Sequence, residues 1–396
     1  MSMPRAVRHI NEVRILASLF HRGTTTRADL ARELGLMRST VGNLVGGLIA
    51  QGLVVEATLA DVDAGGRSGR PGQGVAMNAR HAAFVGADIG VGQLSVVAVD
   101  LLGEPVASRT VAIEPTPGDA DATIAALADL VQALLRDLSP AQPVLGLCVT
   151  VPGLVSQGGQ VVRAPVLGWR GVPLKQALTA RLGWSGPLSL ENDANAFAAA
   201  ELFGRDPPRG EALYVYLDAG VGGGLASHGR LLRGQRGFAG EIGHIHLGEQ
   251  GFETRTAVQG SFESYVGRDA VLARVQQHGG RADTLDGLLA GVAAAEPAAL
   301  RTLADWAWWL GRGLASLISV LDPGRIVLGG PVAALLEPAR PQVLASIERH
   351  LVTPFELPSL VVSVLGSSVC ALGAARGLLH DHLSIDESLV FGSPRD

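Results

Sequence analysis

From Phe84 onward the chain runs as short apolar stretches cut by glycine: Phe84-Val85-Gly86-Ala87-Asp88-Ile89-Gly90, Leu94 to Val99, and Val144 to Val151 closing on Pro152-Gly153. Stretches of this length are strands, and the helical periodicity of Ala122 to Leu138 between them predicts an alternating α/β architecture. Leu188-Ser189-Leu190, Leu213 to Leu217 and Arg325 to Gly330 repeat the theme. Two related lobes across a cleft are therefore expected, at 81–190 and 191–396, with a C-terminal helix able to return to the first lobe. The 396 residues, 47% hydrophobic, suffice for a full core and for two or three domains. No window holds eighteen uninterrupted apolar residues, and Met1 to Phe20 is amphipathic and dotted with arginine. A cytoplasmic protein with no membrane partner is the expectation. Cys148 and Cys370 both sit in apolar surroundings and read as buried, reduced thiols without metal spacing.

Residues 1–80 follow another pattern. Val7, Ile10, Val13, Ile15, Leu16, Leu19 and Phe20 form a helical stripe closed by Gly23, and Thr26 stands three before Asp29, a capping-box-like start to a second helix ending at Gly35. From Arg38 the apolar Val41, Leu44, Val45, Leu48 and Ile49 recur at three and four, leaving Arg38, Ser39, Thr40 and Asn43 at the start and outer face of a third helix. This is the pattern of a helix-turn-helix whose last helix enters a major groove. Gly42, Gly46 and Gly47 each weaken that helix by about 1 kcal/mol relative to alanine, so packing against its neighbours must hold it. After Gly52, Leu53-Val54-Val55-Glu56 predicts a wing strand, and Gly65 to Gly74 a flexible basic linker whose Arg67 and Arg70 suit phosphates or a narrow minor groove. This end carries ten arginines against six acidic residues, whereas the whole chain is at −5, so the basic end is the candidate nucleic-acid surface. Residues 1–80 are thus expected to be a winged helix-turn-helix with a basic linker. Its partner would be double-stranded operator DNA, and the two-fold symmetry of such operators suits a homodimer or a dimer of dimers. A plain three-helix unit for protein contacts is the alternative reading of the same stripe.

The ligand chemistry lies in Glu191-Asn192-Asp193-Ala194-Asn195 and, about fifty residues later, Gly240-Glu241-Ile242-Gly243-His244. A sugar ring presents several hydroxyls. Buried carboxylates accept from them while Asn and His donate to their oxygens, and such a set discriminates because an unmatched buried polar group is costly. Asn195 reads better as a helix-start residue, and Trp169 fits a pocket wall or the core equally well.

Asp88-Ile89-Gly90, Val151-Pro152-Gly153-Leu154-Val155, Glu191 to Asn195, Gly220-Val221-Gly222-Gly223-Gly224, Gly240 to His244 and Asp322-Pro323-Gly324-Arg325 to Gly330, in that order, resemble the signature of the ROK family of repressors, open reading frames and sugar kinases. With a helix-turn-helix in front, the chain resembles the repressor branch. The resemblance covers roughly 80 to 380 and implies the two-lobed, ribonuclease-H-like, actin-like ATPase fold. It implies sugar contacts at Asn192, Asp193, Glu241, His244 and Glu263. Asp193 matches the general base of the family's kinases, which takes the proton of the sugar hydroxyl that attacks a γ-phosphate.

The phosphate half departs from the family pattern. Where the first loop usually reads Asp-x-Gly-Gly-Thr-Lys, this chain has Asp88-Ile89-Gly90-Val91-Gly92-Gln93, and where Gly-Thr-Gly is usual it has Asp218-Ala219-Gly220. A carboxylate placed where phosphate oxygens should sit opposes nucleotide binding, leaving Asp193 a vestigial base and no catalytic residue. The family's zinc cysteines align with Thr254, Thr256 and Ser261, and without thiolates no zinc and no ATP are expected as cofactors. The expected function is a sugar-responsive regulator, a repressor without kinase activity. A sugar kinase with a fused DNA-binding domain is the alternative from the enzyme class, and a regulator that answers to a protein partner is a third.

Overall fold

The computed structural model describes residues 3–58, 73–113, 118–204, 210–254, 257–352 and 356–384. Two five-stranded sheets carry the body. In the first, Leu188–Asn192, Val144–Val151 and Ala83–Gly90 run parallel, and Gln93–Val99 and Pro105–Ala112 continue antiparallel. In the second, Ser359–Val362, Arg325–Gly329 and Ala212–Leu217 are parallel, and Val221–Ser227 and Arg230–Leu232 continue antiparallel. Both sheets share one strand order, so the two apolar series do build related lobes. The boundary expected at 190/191 is corrected: it cuts the strand Leu188–Asn192, whose register against Val144–Val151 (Glu191 opposite Thr150, Asn192 opposite Val151) makes it the edge of the first sheet.

Each lobe's last helix leaves its own sheet and packs on the other. Asp193–Leu202, which follows the first sheet's edge strand, lies on Val221–Ser227, where Gly222 and Gly224 admit Ala194 and Ala198: an added Cβ would come within 2.5 and 2.2 Å of those methyls. Val369–Leu383, which follows the second sheet, lies on Ala83–Gly90, where a Cβ at Gly86 would stand 1.9 Å from the Ala371 carbonyl oxygen. The two helices also pack on each other. Small residues at these crossings are therefore what lets the lobes interlock.

At the N-terminus, helices Met3–Arg22, Arg27–Leu34 and Arg38–Ala50 precede an antiparallel pair, Val54–Thr58 with Gln73–Met77. Thr26 caps the second helix by accepting from the Asp29 N–H at 3.0 Å, and Gly35 ends it in the left-handed conformation (φ 67). Val41, Leu44, Val45 and Leu48 are buried, while Arg38, Ser39, Thr40 and Asn43 face solvent.

The expected linker is not a linker. Gln73 and Gly74 belong to a strand paired with Ala57 and Thr58, so the segment holding Arg67 and Arg70, which lies outside the described residues, joins two strands of one hairpin. The junction with the body is Asn78–Ala82, fastened on both sides. Asn78 donates its backbone N–H to Leu53 O at 2.9 Å and Nδ2 to Gly52 O at 2.8 Å, Leu101 N donates to Ala79 O, and Gln142 Nε2 donates to Ala82 O. One continuous apolar cluster runs from Ile15, Leu19 and Leu48 through Phe84 to Ala371, Ala375 and Leu379 of the C-terminal helix. Among the described residues no helix is long and apolar enough to cross a membrane.

Candidate functional site

Between the lobes lies a cleft of about 100 Å³ walled by Asp88, Asn192, Asp193, Glu241, His244 and Glu263, among others. Asn192 and Asp193 reach it because the edge strand of the first sheet ends there and a helix begins. Asn192 caps that helix: its Oδ1 accepts from the Ala194 and Asn195 N–H groups at 2.9 and 3.2 Å, and its Nδ2 donates to Gly153 O at 3.1 Å. Its amide is thus largely engaged in structure, and what it can still offer a ligand is its second Nδ2 proton. Asn195 is a buried first-turn residue that donates to Glu191 Oε1 at 3.1 Å, and Trp169 is buried in the first lobe's core.

Glu241 and His244 are carried by the turn Ile242–His244, pressed backbone to backbone on the strand Val221–Ser227. Gly223 N donates to Gly240 O at 2.8 Å, and a Cβ at Gly240 (φ 96) or Gly243 would lie 2.0 or 2.1 Å from the carbonyl oxygen of Gly223 or Val221. Both glycines of the motif are needed for that approach. His244 Nε2 lies 3.3 Å from Glu241 Oε2, and this contact raises the imidazole above its ordinary range. Glu263 is 5% exposed: Oε2 accepts from the Val221 N–H at 3.2 Å, while Oε1 is buried without a partner among the described residues. Burial raises its carboxyl. A buried acceptor left open in a cleft wall is where a ligand hydroxyl fits.

Three further carboxyls meet at the cleft floor. Asp88 is buried, accepts from Thr150 Oγ1 at 2.6 Å and is pushed up to about 6 by burial. Asp193 is pushed up to about 8, by burial first and then by Asp88. Asp218 is also raised by burial, against the pull of Arg268, whose Nη1 donates to its Oδ1 at 3.0 Å. Arg268 and Asp218 line an adjoining cavity with Gly329, Gly330 and Ser363. This pair was not legible in the sequence, since its members stand 50 residues apart and no motif links them.

An Asp whose folded pKa lies above its unfolded value favours folding below pH 4 relative to higher pH, and that advantage is lost as pH rises toward the folded value. The contribution of Asp193 to stability should therefore fall between about pH 4 and 8. Asp193→Asn should flatten that slope by at least about 1.4 kcal/mol, the equivalent of one pKa unit. Urea unfolding across this range checks it, and parallel profiles for the two proteins would contradict it.

The segment aligned with zinc cysteines is held by other bonds. Leu247 N donates to Gly260 O, Phe262 N to Ile245 O and Phe252 N to Ser264 O, and Thr254 Oγ1 accepts from Ala257 N at 3.0 Å. Thr256 lies outside the described residues, and the Ser261 hydroxyl is buried. Among the described residues no group of three or more His, Cys, Asp or Glu is placed to hold a metal ion. Cys148 and Cys370 are free and buried, and burial pushes the Cys148 thiol up to about 12.

The interlocked sheets and the cleft between them define an α/β fold of the ROK type, and the ROK family model matches residues 84–381. The chain belongs to the ROK family. It is 26% identical to the xylose repressor of Bacillus subtilis over 95% of this chain and 96% of that protein. It is 30% identical to the glucokinase of Streptomyces coelicolor over 74% of this chain and 96% of that one. A solved ROK family transcriptional regulator, a homologue of the E. coli Mlc protein, superposes with a TM-score of 0.78 at 24% identity, covering 97% of this chain and 99% of that one.

Proposed function

We propose that the chain is a transcriptional repressor whose N-terminal helices and antiparallel pair form a winged helix-turn-helix, and whose cleft binds a monosaccharide that regulates it. The observation that carries this reading is the contrast inside one cleft. The hydroxyl-reading set of Asp193, Glu241, His244 and Glu263 converges on it, while the phosphate loop has Ala219 in place of its threonine and, in place of the glycine before it, Asp218, tied to Arg268 at 3.0 Å. A carboxyl held at about 8 by its surroundings is largely protonated at neutral pH. In that form it can donate a hydrogen bond to a sugar oxygen. The cleft volume equals roughly seven to ten waters, the scale of one monosaccharide ring. The alignments agree in extent: the repressor matches from end to end, whereas the kinase leaves about a quarter of the chain unmatched. Xylose and glucose are the first ligands to try, because those relatives carry their names.

The test is a gel shift with the promoter DNA adjoining the chain's own gene, with and without each sugar, beside a coupled assay for sugar phosphate. Operator binding that a sugar alters, without phosphorylation, is expected. Steady production of sugar phosphate would replace this reading with the kinase alternative, and operator binding indifferent to all sugars would favour a protein-responsive regulator. Purified protein is expected to contain no stoichiometric zinc and to show no shift in Tm with millimolar ATP and magnesium. One zinc per chain by metal analysis, or a clear ATP-dependent shift, would contradict the cofactor reading.

The exposed start of helix Arg38–Ala50 is the proposed base reader. Arg38→Ala or Asn43→Ala should cost about 1–3 kcal/mol in operator affinity, concentrated at one base position per half-site of a dimer. Unchanged affinity of both variants at matched salt would remove this helix from the groove. Arg67 and Arg70 are proposed to touch phosphates or the minor groove and should act evenly across sequences.

A further inference from the structure

The sugar cleft does not end at its floor. Asp88, Gly90, Val91, Tyr216 and Asp218 wall both the cleft and a second space of about 390 Å³, against about 100 Å³ for the cleft itself. The first is on the scale of one ring, so the second has room for another. Its chemistry is also that of a hydroxyl reader. Gln93 stands where the family pattern has a lysine, and its side-chain amide, donor and acceptor in one group, bonds to nothing among the described residues. Ser363 Oγ accepts from Leu365 N at 3.3 Å and keeps its own proton to donate. Arg268 donates through Nη1 to Asp218 and through Nε to Asp269, which leaves Nη2 for a ligand. At the passage between the two spaces, buried Asp88 accepts from Thr150 through Oδ1, while its Oδ2 has no partner among the described residues. A buried acceptor left open there suits a ligand hydroxyl. The charged side chains of the second wall are Asp88, Asp218 and Arg268. Since Arg268 is already paired with Asp218, a phosphate would meet Asp88 with no cation of its own. A neutral polyhydroxylated ring meets no such cost.

We propose that the two spaces form one site and that its ligand is a disaccharide, with one ring read by Glu241, His244 and Glu263 in the cleft and the second by Gln93, Ser363 and Arg268 beyond Asp88. The inference rests on the sugar reading of the cleft and extends its ligand from one ring to two. The linkage between the rings passes between Asp88 and Asp218, where the two altered phosphate loops face the cleft. Asp88 and Gln93 belong to the first lobe, and Asp218, Arg268 and Ser363 to the second. The second ring therefore bridges the lobes as the first one does, and adds to the preference for a closed cleft.

Isothermal titration of the full chain with xylose, xylobiose, glucose, cellobiose and maltose is the test. At least one disaccharide is expected to bind about tenfold tighter than the sugar it is built from. Gln93→Ala, which removes a donor and an acceptor, and Ser363→Leu, which fills part of the second space, should each weaken that disaccharide about fivefold or more and leave the monosaccharide unchanged. Neither residue walls the cleft itself, and both are partly exposed, so retained monosaccharide binding reports an intact fold. A monosaccharide that binds while every disaccharide binds no tighter would overturn the two-ring site and leave the sugar cleft standing. Disaccharide affinity indifferent to both substitutions would put the second ring elsewhere and overturn it as well. Binding of none of these sugars would overturn the sugar reading itself, and this inference with it.

Discussion

Gly373→Ala is expected to destabilise the protein by about 3 kcal/mol or more, at the upper end of what overpacking costs, for the sake of a single methyl group. Gly373 sits where the C-terminal helix crosses Asp193–Leu202, and a Cβ there would stand 1.7 Å from the Ala196 carbonyl oxygen, 2.6 Å from its carbon and 2.9 Å from the Ala200 nitrogen. All three atoms are backbone of another helix, so no rotamer change relieves the clash and the helices must separate. That separation opens the packing of Ala371 against Gly86, which is how the second lobe's last helix holds the first sheet. Gly377, one turn on, has nothing within 4 Å of its added Cβ. Gly377→Ala should instead be neutral or stabilise by up to about 1 kcal/mol, the helix-propensity gain. Urea midpoints of the two variants against the parent decide it: similar stabilities for Gly373→Ala and Gly377→Ala would mean that the interlock is looser than its geometry.

Much of this architecture is legible in the chain because burial on both faces writes itself as unbroken apolar runs. The strands at 83–90, 93–99, 144–151 and 212–217 were of this kind, and so was the 3.6-residue stripe of Val41, Leu44, Val45 and Leu48. What escaped was written weakly. Pro105–Ala112 is a largely exposed edge strand, so it lacks an apolar run. Gln73–Met77 shows only Val75 and Met77 as strong apolar residues amid glycine and glutamine, and its first two residues belong to the glycine-rich stretch Gly65 to Gly74 that reads as a linker. At the site, residue types announce hydroxyl chemistry but not allegiance. The amide that could bind a sugar is the same amide that caps a helix, and only the position of Asn192 at a strand-to-helix junction separates the two roles. The Arg268–Asp218 pair depends on a chain crossing that no local pattern encodes. The hairpin correction matters most for function, because it leaves the N-terminal unit bonded to the body at Asn78–Ala82 and not on a flexible tether, so any coupling between them is expected to pass through packing.

Glu241→Ala and His244→Ala are each expected to abolish the response of operator binding to sugar while leaving sugar-free operator affinity nearly unchanged. Their side chains are 40% and 56% exposed and bond chiefly to each other, so removing either leaves the core intact. Their turn is fixed by the backbone contacts of Gly240 and Gly243, which the substitutions do not touch. Both belong to the second lobe and line the cleft together with Asp193 at the end of the first, so a ring held between them would favour a closed cleft. The crossed helices Asp193–Leu202 and Val369–Leu383 join the two lobes, and the second of these shares its apolar cluster with the first helix of the N-terminal unit. A change at that crossing is expected to reach the N-terminal helices through this packing. A ligand shifts that balance only by its differential affinity for the two states, which for such couplings is about 1–3 kcal/mol, or roughly 5–150-fold in operator affinity. Weaker operator binding with sugar is the expected direction. Gel-shift titrations of parent and variants, each with and without the sugar, separate the outcomes. Variants that still respond like the parent would move the sensor away from Glu241 and His244, and variants that lose operator binding without sugar would show that this turn holds up the fold and not the response.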